Sequence, residues 1–425
     1  MQTLKIGLLG LGNIGSGVYS LIRKKRNLIA SRSGVRLDLV RIADKRTKFP
    51  FSVPKTLLTR DTHSVLRDPR IDTVIELIGG IHPALEFVLE AFRNGKDVVT
   101  ANKALLAEQG EQIFRTAEKY GRQIFFEASV GGGIPIIQAL REGLIANQVQ
   151  SIHSIINGTS NYILSEMSEK HVDFDKVLKA AQEKGYAEAN PKLDVEGIDA
   201  AHKITILASL AFGKLARFKD VYAEGISQIR SEDIQFADEF GYRIKLLAIT
   251  KKTPGGIEAR VQPTLVPKNH LLANVSGSFN AILVRADEAG DLLFYGRGAG
   301  SKPTSSAIVS DLIALAKARS GRGKLHTSFP KGTLKIKGIS SILSRYYFRF
   351  NVVDRPGVLA QIANVLGKHK ISISDVIQKE WRFGSVVPLI LLTHHAHEGN
   401  VRKALRVIGR LSVIRGKSQV LRIES

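Results

Sequence analysis

Apolar and polar positions along the first 130 residues alternate between short apolar runs and longer stretches with helical spacing. The runs predict strands, and the stretches carry apolar residues three and four positions apart, which predicts amphipathic helices. In chain order the predicted strands lie at 4–9, 36–43, 73–78, 97–100 and 123–127, and the clearest helices lie at 82–94 and 104–120. Strands that alternate with helices are typical of a parallel sheet with helices on both faces.

The pattern changes after about residue 130. Apolar runs predict strands of a separate α+β region at 222–229, 243–251, 257–265 and 280–286, and helical spacing returns at 174–184, 198–213 and 305–318. The segment 346–425 reads strand, helix, two strands, helix and strand. Its helices are predicted at 358–369 and 398–410. Its first strand is predicted to end at 353, and the other three are predicted at 371–379, 385–393 and 419–423. This βαββαβ order is that of a ferredoxin-like unit.

A glycine-rich sequence joins the first predicted strand to the first predicted helix. It reads Gly10-Leu11-Gly12-Asn13-Ile14-Gly15. In a dinucleotide-binding fingerprint the first glycine permits a tight turn, the second lets the backbone approach a pyrophosphate, and the third allows close packing of helix on strand. Because the motif stands between a strand and a helix, it predicts that the phosphates of NAD or NADP face the helix N-terminus.

The second predicted strand ends at Asp44. A carboxylate there accepts hydrogen bonds from the ribose hydroxyls of NAD, whereas the adjacent Lys45 and Arg46 offer positive charge to the 2′-phosphate of NADP. The two signals point to different cofactors, so NADP and NAD both stay open here. The long basic segment 23–36 explains why Asp44 lies farther from the glycines than is usual.

Charge is the unusual part of the composition. The chain has 425 residues, with 62 Lys or Arg against 39 Asp or Glu, and a formal net charge of +23. Such a surplus suits phosphorylated ligands, an anionic membrane or nucleic acid, so a basic regulatory or nucleic-acid-binding protein with a Rossmann domain is a rival interpretation. The basic residues are only partly clustered, which is typical of a solvated surface and argues against nucleic acid as a partner.

The chain has no cysteine. This excludes disulfides, thiolate metal sites and a cysteine nucleophile, and it fits a reducing compartment. The sequence has no uninterrupted apolar stretch of about 18 residues, and its apolar start runs directly into glycines instead of a cleavage site. We therefore expect a cytoplasmic protein without a membrane partner.

Two polar clusters follow predicted strands. Thr100-Ala101-Asn102-Lys103 lies where ligands of open α/β sheets bind, so Lys103 is a candidate substrate contact; the alternative is a helix cap at Asn102 followed by a surface lysine. Glu127 precedes Val130-Gly131-Gly132-Gly133-Ile134-Pro135. Glycine carbonyls and a carboxylate suit a hard cation such as Na⁺, and a flexible hinge is the alternative.

A denser polar cluster lies at 185–203. It contains Gly185-Tyr186-Ala187-Glu188, Asp194, Asp199 and Lys203. Asp199 and Lys203 are four residues apart and share one face of a helix that is apolar nearly all round after its first turn. Charges at the entrance to a buried helix are costly to desolvate, which indicates a functional site. His202 lies on a different face and is not expected to be the base.

These motifs resemble those of the homoserine dehydrogenase family. The resemblance covers roughly residues 4–320 and rests on Asn157-Gly158-Thr159-Ser160-Asn161-Tyr162-Ile163-Leu164, on Gly185–Glu188, and on Asp194-x-x-Gly197-x-Asp199-x-Ala201-x-Lys203. Thr100–Lys103 and Glu127–Pro135 match further signatures in the same order. The tail, with Asp354-Arg355-Pro356-Gly357-Val358-Leu359, resembles an ACT domain, the usual C-terminal partner in many members of this family.

The resemblance implies a role for each matched residue. Lys203 is the expected acid or base, with Lys103 and Asp199 as further catalytic residues. The expected substrate contacts are Glu188, Asp194, Tyr186, Thr159 and Gly158. The expected cofactor contacts are Gly10, Gly12, Asn13, Ile14, Gly15, Asp44, Lys45, Arg46, Thr100, Lys103 and Gly300. The expected ligands of a monovalent cation are Glu127, Val130, Gly132 and Ile134.

The resemblance also implies a domain plan of the α/β class. We expect a Rossmann-type dinucleotide-binding domain at 1–133, to which a helix at about 303–320 returns, and an α+β catalytic and dimerisation domain at 134–302. A basic linker at 321–344 and a ferredoxin-like ACT regulatory domain at 345–425 are expected to follow. Two residues depart from the family pattern: Asn190 stands where Asp is common, and Arg297 stands where proline is usual.

The implied reaction interconverts L-aspartate 4-semialdehyde and L-homoserine with NADP or NAD. The nearest alternative enzyme is another amino-acid dehydrogenase with the same fold. The tail is expected to bind threonine as an effector, with a dimerisation module that binds no ligand as its alternative. The protein is expected to be a homo-oligomer, either a dimer or a tetramer.

Overall fold

Residues 1–46, 48–321, 329–378 and 386–424 are described by a computed structural model of the chain. They form two units, each of which the chain enters three times. The first unit comprises Met1–Ser151, His202–Phe218 and Asn280–Leu334. The second comprises Ile152–Ala201, Lys219–Phe279 and Lys335–Ser425.

The regular elements are named in chain order. The strands are β1 Gln2–Leu9, β2 Val35–Ala43, β3 Leu58–Thr59, β4 Thr73–Glu76, β5 Asp97–Thr100, β6 Ile124–Phe125, β7 Val149–Ile155, β8 Tyr222–Ala223, β9 Tyr242–Thr253, β10 Gly256–Pro267, β11 Phe279–Ala286, β12 Gly290–Arg297, β13 Leu343–Val353, β14 Ile373–Gln378, β15 Val386–Thr393, β16 Ala396–His397 and β17 Gln419–Ile423. The α-helices are α1 Asn13–Lys24, α2 Arg26–Ser33, α3 Thr62–Leu66, α4 Ala84–Arg93, α5 Lys103–Lys119, α6 Ile136–Gln138, α7 Gly158–Lys170, α8 Phe174–Glu183, α9 Lys192–Val195, α10 Ile198–Phe212, α11 Ser231–Glu239, α12 Ser301–Arg319, α13 Val358–Lys368 and α14 Glu398–Ile408.

The first unit is built on a six-stranded sheet in the order β3-β2-β1-β4-β5-β6, and every neighbouring pair is parallel. This is the strand order of a Rossmann fold: β2 and β3 are added on one side of β1, whereas β4, β5 and β6 are added on the other side, so the strand order reverses between β1 and β4. The reversal leaves a crevice beyond the carboxyl ends of these strands. The prediction of an N-terminal Rossmann-type sheet is confirmed.

The core of the first unit joins three elements that are distant in sequence. Apolar side chains of β1 and α1, such as Leu8 and Val18, are fully buried together with Ile308 and Leu312 of α12. Their alternate and helical spacing explains why each element turns one face inward. The α12 helix thus packs against the N-terminal sheet, although about 290 residues separate it from β1.

The second unit contains strands in the order β9-β10-β17-β13-β15-β14. The β9–β10 pair is antiparallel over its whole length, and β17 pairs in parallel with β10 and antiparallel with β13. The C-terminal elements β13, α13, β14, β15, α14 and β17 follow the predicted βαββαβ order, with the short β16 paired to β13. Because β17 lies between β10 and β13, the C-terminal domain and the β9–β10 pair share one sheet.

The segment expected to be a basic linker is only partly described, since residues 322–328 lie outside the described residues. Beyond them, Lys335 accepts a hydrogen bond from Ile257 N at 3.1 Å, and Lys337 N donates to Ile257 O at 2.8 Å. This part of the segment therefore runs beside the start of β10.

Two secondary-structure predictions differ from the structure for physical reasons. The strand predicted at 222–229 is only the two residues of β8. Beyond them Ile226 N donates a hydrogen bond to Val195 O at 2.8 Å, outside the pairing of β8 with β10. The α2 helix was not predicted, since it buries none of its side chains and carries no apolar periodicity. In the described part of the chain, no helix is both long enough and apolar enough to span a membrane.

Candidate active site

The glycine loop of the first unit is shaped by contacts that exclude larger residues. Gly10 has φ +91°, and a Cβ on it would lie 2.7 Å from Leu77 O. A Cβ on Gly15 would lie 2.1 Å from Gly10 O, so the start of α1 packs directly on the turn. Gly12 is the N-cap of α1, and a Cβ there would meet open space. The loop is therefore a backbone-lined cradle at a helix N-terminus, which fits the pyrophosphate of a dinucleotide.

Asp44 lies at the end of β2 beside this loop. Its Oδ2 accepts a hydrogen bond from Leu11 N at 2.6 Å, and its Oδ1 accepts one from Arg46 N at 2.8 Å. The Arg46 guanidinium adds two further bonds, each of 3.0 Å. Burial raises the pKa of Asp44, but the hydrogen bonds from Arg46 and Leu11 outweigh it and hold the pKa below its usual value. Lys45 is exposed.

The Thr100–Lys103 cluster is organised by a buried acid, Glu76, that sequence analysis missed. Thr100 Oγ1 donates to Glu76 Oε2 at 2.7 Å, and Glu76 Oε1 accepts from Ile78 N at 2.8 Å. Asn102 caps α5 by accepting from Leu105 N, as one alternative predicted, and its amide also donates to Gly80 O at 2.6 Å. Lys103 is consequently fixed as the first residue of α5. The only signal for Glu76 in the sequence is an acid at the end of a strand.

In the second unit, Asn157 joins two of the predicted site residues. Its Nδ2 donates to Asp194 Oδ1 at 2.7 Å and to Asp199 Oδ2 at 2.8 Å. Its Oδ1 accepts from Ser160 N at 2.8 Å and so caps α7. Asn157 is buried and was recognised as part of a motif, but its role as the bridge between the carboxylates was not predicted. Asn157 therefore holds the carboxylates of Asp194 and Asp199 close to each other at the start of α7.

The other predicted substrate contacts lie around the start of α7. Thr159 Oγ1 donates to Tyr186 O at 3.0 Å, and the Tyr186 ring stacks on Tyr162 with 4.4 Å between centroids. A Cβ on Gly158 would lie 2.8 Å from Ser278 O, so the chain passes too closely for another residue. The structure therefore groups Gly158, Thr159 and Tyr186 together. Glu188 is exposed and follows them in the chain.

The α10 helix carries Asp199 and Lys203 one turn apart. Asp199 is 6% exposed and Lys203 is 7% exposed, which confirms the prediction that this helix is buried. His202 Nε2 lies 2.9 Å from Glu108 Oε1, and its ring packs on Phe218 with 4.4 Å between centroids. The imidazole thus has a structural environment of its own, on a different face from Lys203.

The Glu127–Pro135 segment forms a tight loop. Glu127 accepts hydrogen bonds from the amides of Ile137 and Gln138 at 2.8 and 2.7 Å, so its carboxylate caps α6. Burial raises the pKa of Glu127 to about 7. Gly131 and Gly132 have φ of +72° and +59°, the left-handed conformation that redirects successive carbonyls. No group of three or more His, Asp or Glu residues suited to a metal occurs in the described residues, so any cation here would depend on backbone carbonyls.

The Gly298–Gly300 loop packs on this segment. A Cβ on Gly132 would lie 2.6 Å from Gly298 O, and Gly300 has φ +114° as the N-cap of α12. Arg297, which departs from the family pattern, contributes its carbonyl oxygen to a 3.3 Å hydrogen bond from Gly133 N. A proline carbonyl accepts the same bond, so the departure leaves this contact intact.

Family models match nearly the whole chain. The homoserine dehydrogenase model matches residues 135–313, the model of its NAD-binding domain matches 10–127, and the ACT domain model matches 346–410. The homoserine dehydrogenase of Pseudomonas aeruginosa is 44% identical over 100% of this chain and 99% of its own. The chain belongs to the homoserine dehydrogenase family. It is accordingly an oxidoreductase that uses a nicotinamide cofactor and carries a C-terminal ACT domain.

Solved structures of homoserine dehydrogenases share the fold. The crystal structure of the homoserine dehydrogenase of Thiobacillus denitrificans matches with a TM-score of 0.94 and 46% identity, covering 100% of this chain and 99% of that one. A hyperthermophilic archaeal homoserine dehydrogenase in complex with NADPH matches with a TM-score of 0.64, covering 76% of this chain and 100% of that one. At 24% identity the second likeness concerns the fold alone.

Proposed function

We propose that Lys203 holds and moves the proton in the interconversion of L-homoserine and L-aspartate 4-semialdehyde. The observation that carries this proposal is the Asn157 bridge, which fixes Asp194 and Asp199 at one point. Asp199 begins the helix on which Lys203 follows one turn later. A buried lysine on the same helix face as an anchored carboxylate is held in a defined position, as acid–base catalysis requires.

The chemistry needs one proton transfer and one hydride transfer. When the nicotinamide is bound, it accepts the hydride from C4 of homoserine or returns it to the aldehyde. In the oxidation, neutral Lys203 Nζ takes the proton of the C4 hydroxyl; in the reduction, its ammonium donates that proton to the developing alkoxide. Lys103 is proposed to supply a second positive charge that stabilises the alkoxide.

The substrate is an amino acid, so it needs protein groups of both signs. We assign its ammonium to the carboxylates of Glu188, Asp194 and Asp199. Support comes from the geometry around Asn157, because the carboxylates of Asp194 and Asp199 both accept hydrogen bonds from its side-chain amide. Gly158, Thr159 and Tyr186 are proposed to shape the adjacent wall, since their backbone contacts leave space for no larger residue at Gly158.

For the cofactor, we propose that NADP is used and that NAD is a workable alternative. The cradle of Gly10, Gly12 and Gly15 fits the pyrophosphate, with Asn13 and Ile14 as the first residues of α1. Asp44 and Arg46 lie where the adenosine ribose is read in this fold. Thr100, Lys103 and Gly300 are proposed to contact the nicotinamide end of the dinucleotide.

For the cation, we propose a Na⁺ site built from the backbone carbonyls of Val130, Gly132 and Ile134. The two left-handed glycines support it, since they turn successive carbonyls toward different directions. The Glu127 carboxylate already accepts two amide hydrogen bonds, so we assign Glu127 to the site as the residue that fixes the loop. Hard cations prefer oxygen ligands of this kind.

For the C-terminal domain, we propose that threonine binds as an effector and that the protein forms a homo-oligomer. The support is the turn at Asp354–Gly357, where Gly357 has φ +84° and caps the N-terminus of α13. Amides at a helix N-terminus suit a small carboxylate. Threonine titration of the full chain against a Gly357→Val variant tests the assignment: equal inhibition of both would place threonine elsewhere.

The experiment that tests the proton-transfer role compares three variants. Lys203→Ala is expected to lose nearly all turnover while it binds the dinucleotide normally, because the glycine loop holds the cofactor. Lys203→Arg is expected to fail as well, since arginine keeps its proton near neutral pH. His202→Gln, a neighbour that can still bond to Glu108, is the control and should keep turnover within about threefold. Turnover of Lys203→Ala within threefold of wild type contradicts the assignment.

A further inference from the structure

A two-residue turn separates α9, which carries Asp194, from α10, which carries Asp199. This 196–197 turn is closed by backbone hydrogen bonds. Gly197 N donates to Asp194 O at 3.2 Å, and Gly197 O accepts from Ala201 N at 2.9 Å at the start of α10. The separation of the two carboxylates therefore depends on how the turn is held.

The segment after β8 packs directly against the 196–197 turn. Ile226 N donates to Val195 O at 2.8 Å, and a Cβ on Gly225 would lie 2.2 Å from the same oxygen. Gly197 has φ +78°, and a Cβ on it would lie 3.2 Å from Glu224 O. The two backbones are therefore in close contact along the turn, so a shift of one displaces the other.

Glu224 ties this segment to β17. Arg422 Nη1 on β17 donates to Glu224 Oε2, and Tyr222 Oη donates to the same oxygen at 2.8 Å. Glu224 N also donates to Val261 O of β10 at 2.8 Å. The Glu224 side chain is 30% exposed, whereas that of Arg422 is 5% exposed. A buried arginine thus fixes Glu224 on the segment that contacts the turn.

The Arg422 guanidinium is held in turn by the C-terminal domain. Its Nε and Nη2 donate to the Glu398 carboxylate at 3.1 and 2.5 Å. Glu398 also accepts from Tyr346 Oη and from Arg402 Nε, each at 3.0 Å. Because a guanidinium is a rigid planar fork, its three bonded nitrogens cannot turn independently. Glu398 and Glu224 are therefore held in a fixed relation through one planar group.

We propose that Arg422 and Glu224 are positioning residues for homoserine binding. They act through the 196–197 turn, which sets the separation of Asp194 and Asp199. The inference rests on the proposed role of these two acids in binding the substrate ammonium. Because the ammonium is not attached to the reacting C4 atom, poor alignment of the acids weakens binding in the ground state and the transition state alike, which raises KM and preserves kcat.

Steady-state oxidation of homoserine by the full chain tests the pair in a double-mutant cycle. Glu224→Ala removes the acceptor, Arg422→Met removes the donor, and the double variant removes both. Residues that act through one contact give effects that do not add. Glu224→Gln keeps one oxygen acceptor and is the conservative variant.

Two further variants serve as references. Tyr346→Phe is the matched control, since it removes a hydrogen bond to the same buried Glu398 without touching Glu224. Asp194→Asn reports on the proposed substrate contact itself. Thermal unfolding is measured on the same samples, because a variant that only loses stability lowers the active fraction and the apparent kcat without changing KM.

We expect KM for homoserine to rise about tenfold in Glu224→Ala, in Arg422→Met and in the double variant alike. The kcat should change by less than about threefold and KM for the dinucleotide by less than about twofold, since the glycine loop holds the cofactor. KM for homoserine should stay within about threefold of wild type in Glu224→Gln and within about twofold in Tyr346→Phe.

A homoserine KM within about twofold of wild type in Glu224→Ala overturns the proposal. So does a KM that rises equally in Tyr346→Phe, or effects that add fully in the double variant. An unchanged KM in Asp194→Asn counts against the proposed substrate contact, whereas a rise in that variant with none in Glu224→Ala counts only against the positioning role.

Discussion

Replacing Asn157 by aspartate tests the bridge on which the site is built. The change keeps the size of the side chain and keeps an oxygen that can accept from Ser160 N, so the cap of α7 is retained. It removes the amide hydrogens that bind Asp194 and Asp199 at 2.7 and 2.8 Å. The new carboxylate at position 157 then lies next to those of Asp194 and Asp199, which in the wild type both accept hydrogen bonds from the Asn157 amide.

The size of the effect follows from these contacts. Each hydrogen bond to a charged group contributes about 1.5–3 kcal/mol, so losing both costs at least about 3 kcal/mol. Two like charges near 4 Å repel by about 4 kcal/mol at an effective dielectric constant of about 20. Uptake of a proton by the cluster relieves part of this repulsion. We therefore expect kcat/KM for homoserine to fall by about 100-fold or more, since 1.36 kcal/mol is tenfold.

The assay is steady-state oxidation of homoserine between pH 6 and 9, with thermal unfolding and dinucleotide binding measured on the same samples. Activity of Asn157→Asp is expected to recover in part as the pH falls, because protonation of the cluster restores a donor. Asn190→Asp is the control, since Asn190 is exposed and the change adds the same charge without entering the bridge. If Asn157→Asp keeps kcat/KM within threefold of wild type across this range, the bridge does not position the substrate carboxylates and the reasoning fails.

Three further changes have defined outcomes. Burial, with a smaller effect of Arg243, lowers the pKa of Lys245 to about 8. Between about pH 8 and 10.5 the unfolded chain therefore binds more protons than the folded chain, and the free energy of unfolding rises with pH by an amount on the order of 3 kcal/mol. Lys245→Met should abolish this rise, which is measured by denaturant titrations at several pH values. Gly15→Ala should abolish dinucleotide binding, because its Cβ would lie 2.1 Å from a backbone carbonyl oxygen, while Gly367→Ala in open space should bind normally. Arg422→Met removes one of the two arginines that pair with the buried Glu398. Breaking a buried pair costs about 3–5 kcal/mol, so for a chain of this length the melting temperature should fall by about 4 °C. Arg415→Met, on the surface, should lower it by less than about 1 °C.

Elements with strong periodicity could be predicted from the sequence almost to the residue. The strand at 97–100 and the helix at 198–213 are found as β5 Asp97–Thr100 and α10 Ile198–Phe212, because one apolar face or a fully apolar surface leaves a repeat in the sequence. The α2 helix escaped because it has no buried face. Periodicity reports burial, so elements that bury little leave no such signal.

Side-chain partners were much less predictable than elements. Glu76 and Thr100 are 24 residues apart, and Asn157 and Asp199 are 42 residues apart, yet each pair is within 2.8 Å. No spacing rule links such residues, since their meeting depends on how strands and helices are packed. The motifs identified which residues matter, whereas the structure showed that Asn157 and Glu76 are the polar groups that organise them.

The position of β17 bears on how an effector in the C-terminal domain could act. Arg422 on this strand binds Glu398 at 2.5 Å and also pairs with Glu224, while Glu424 binds Arg260 at 3.0 Å and Lys251 at 2.9 Å. The domain is thus joined to β10 by backbone pairing and by buried charges within one unit. An effector alters catalysis only by binding two states with different affinity. Because β17 pairs with β10, removing the domain would expose the edge of β10 and remove Glu424, a partner of the buried Arg260. A truncated chain would therefore lose folding stability together with any regulation. Point variants at the Asp354–Gly357 turn leave these contacts in place, so they separate regulation from folding.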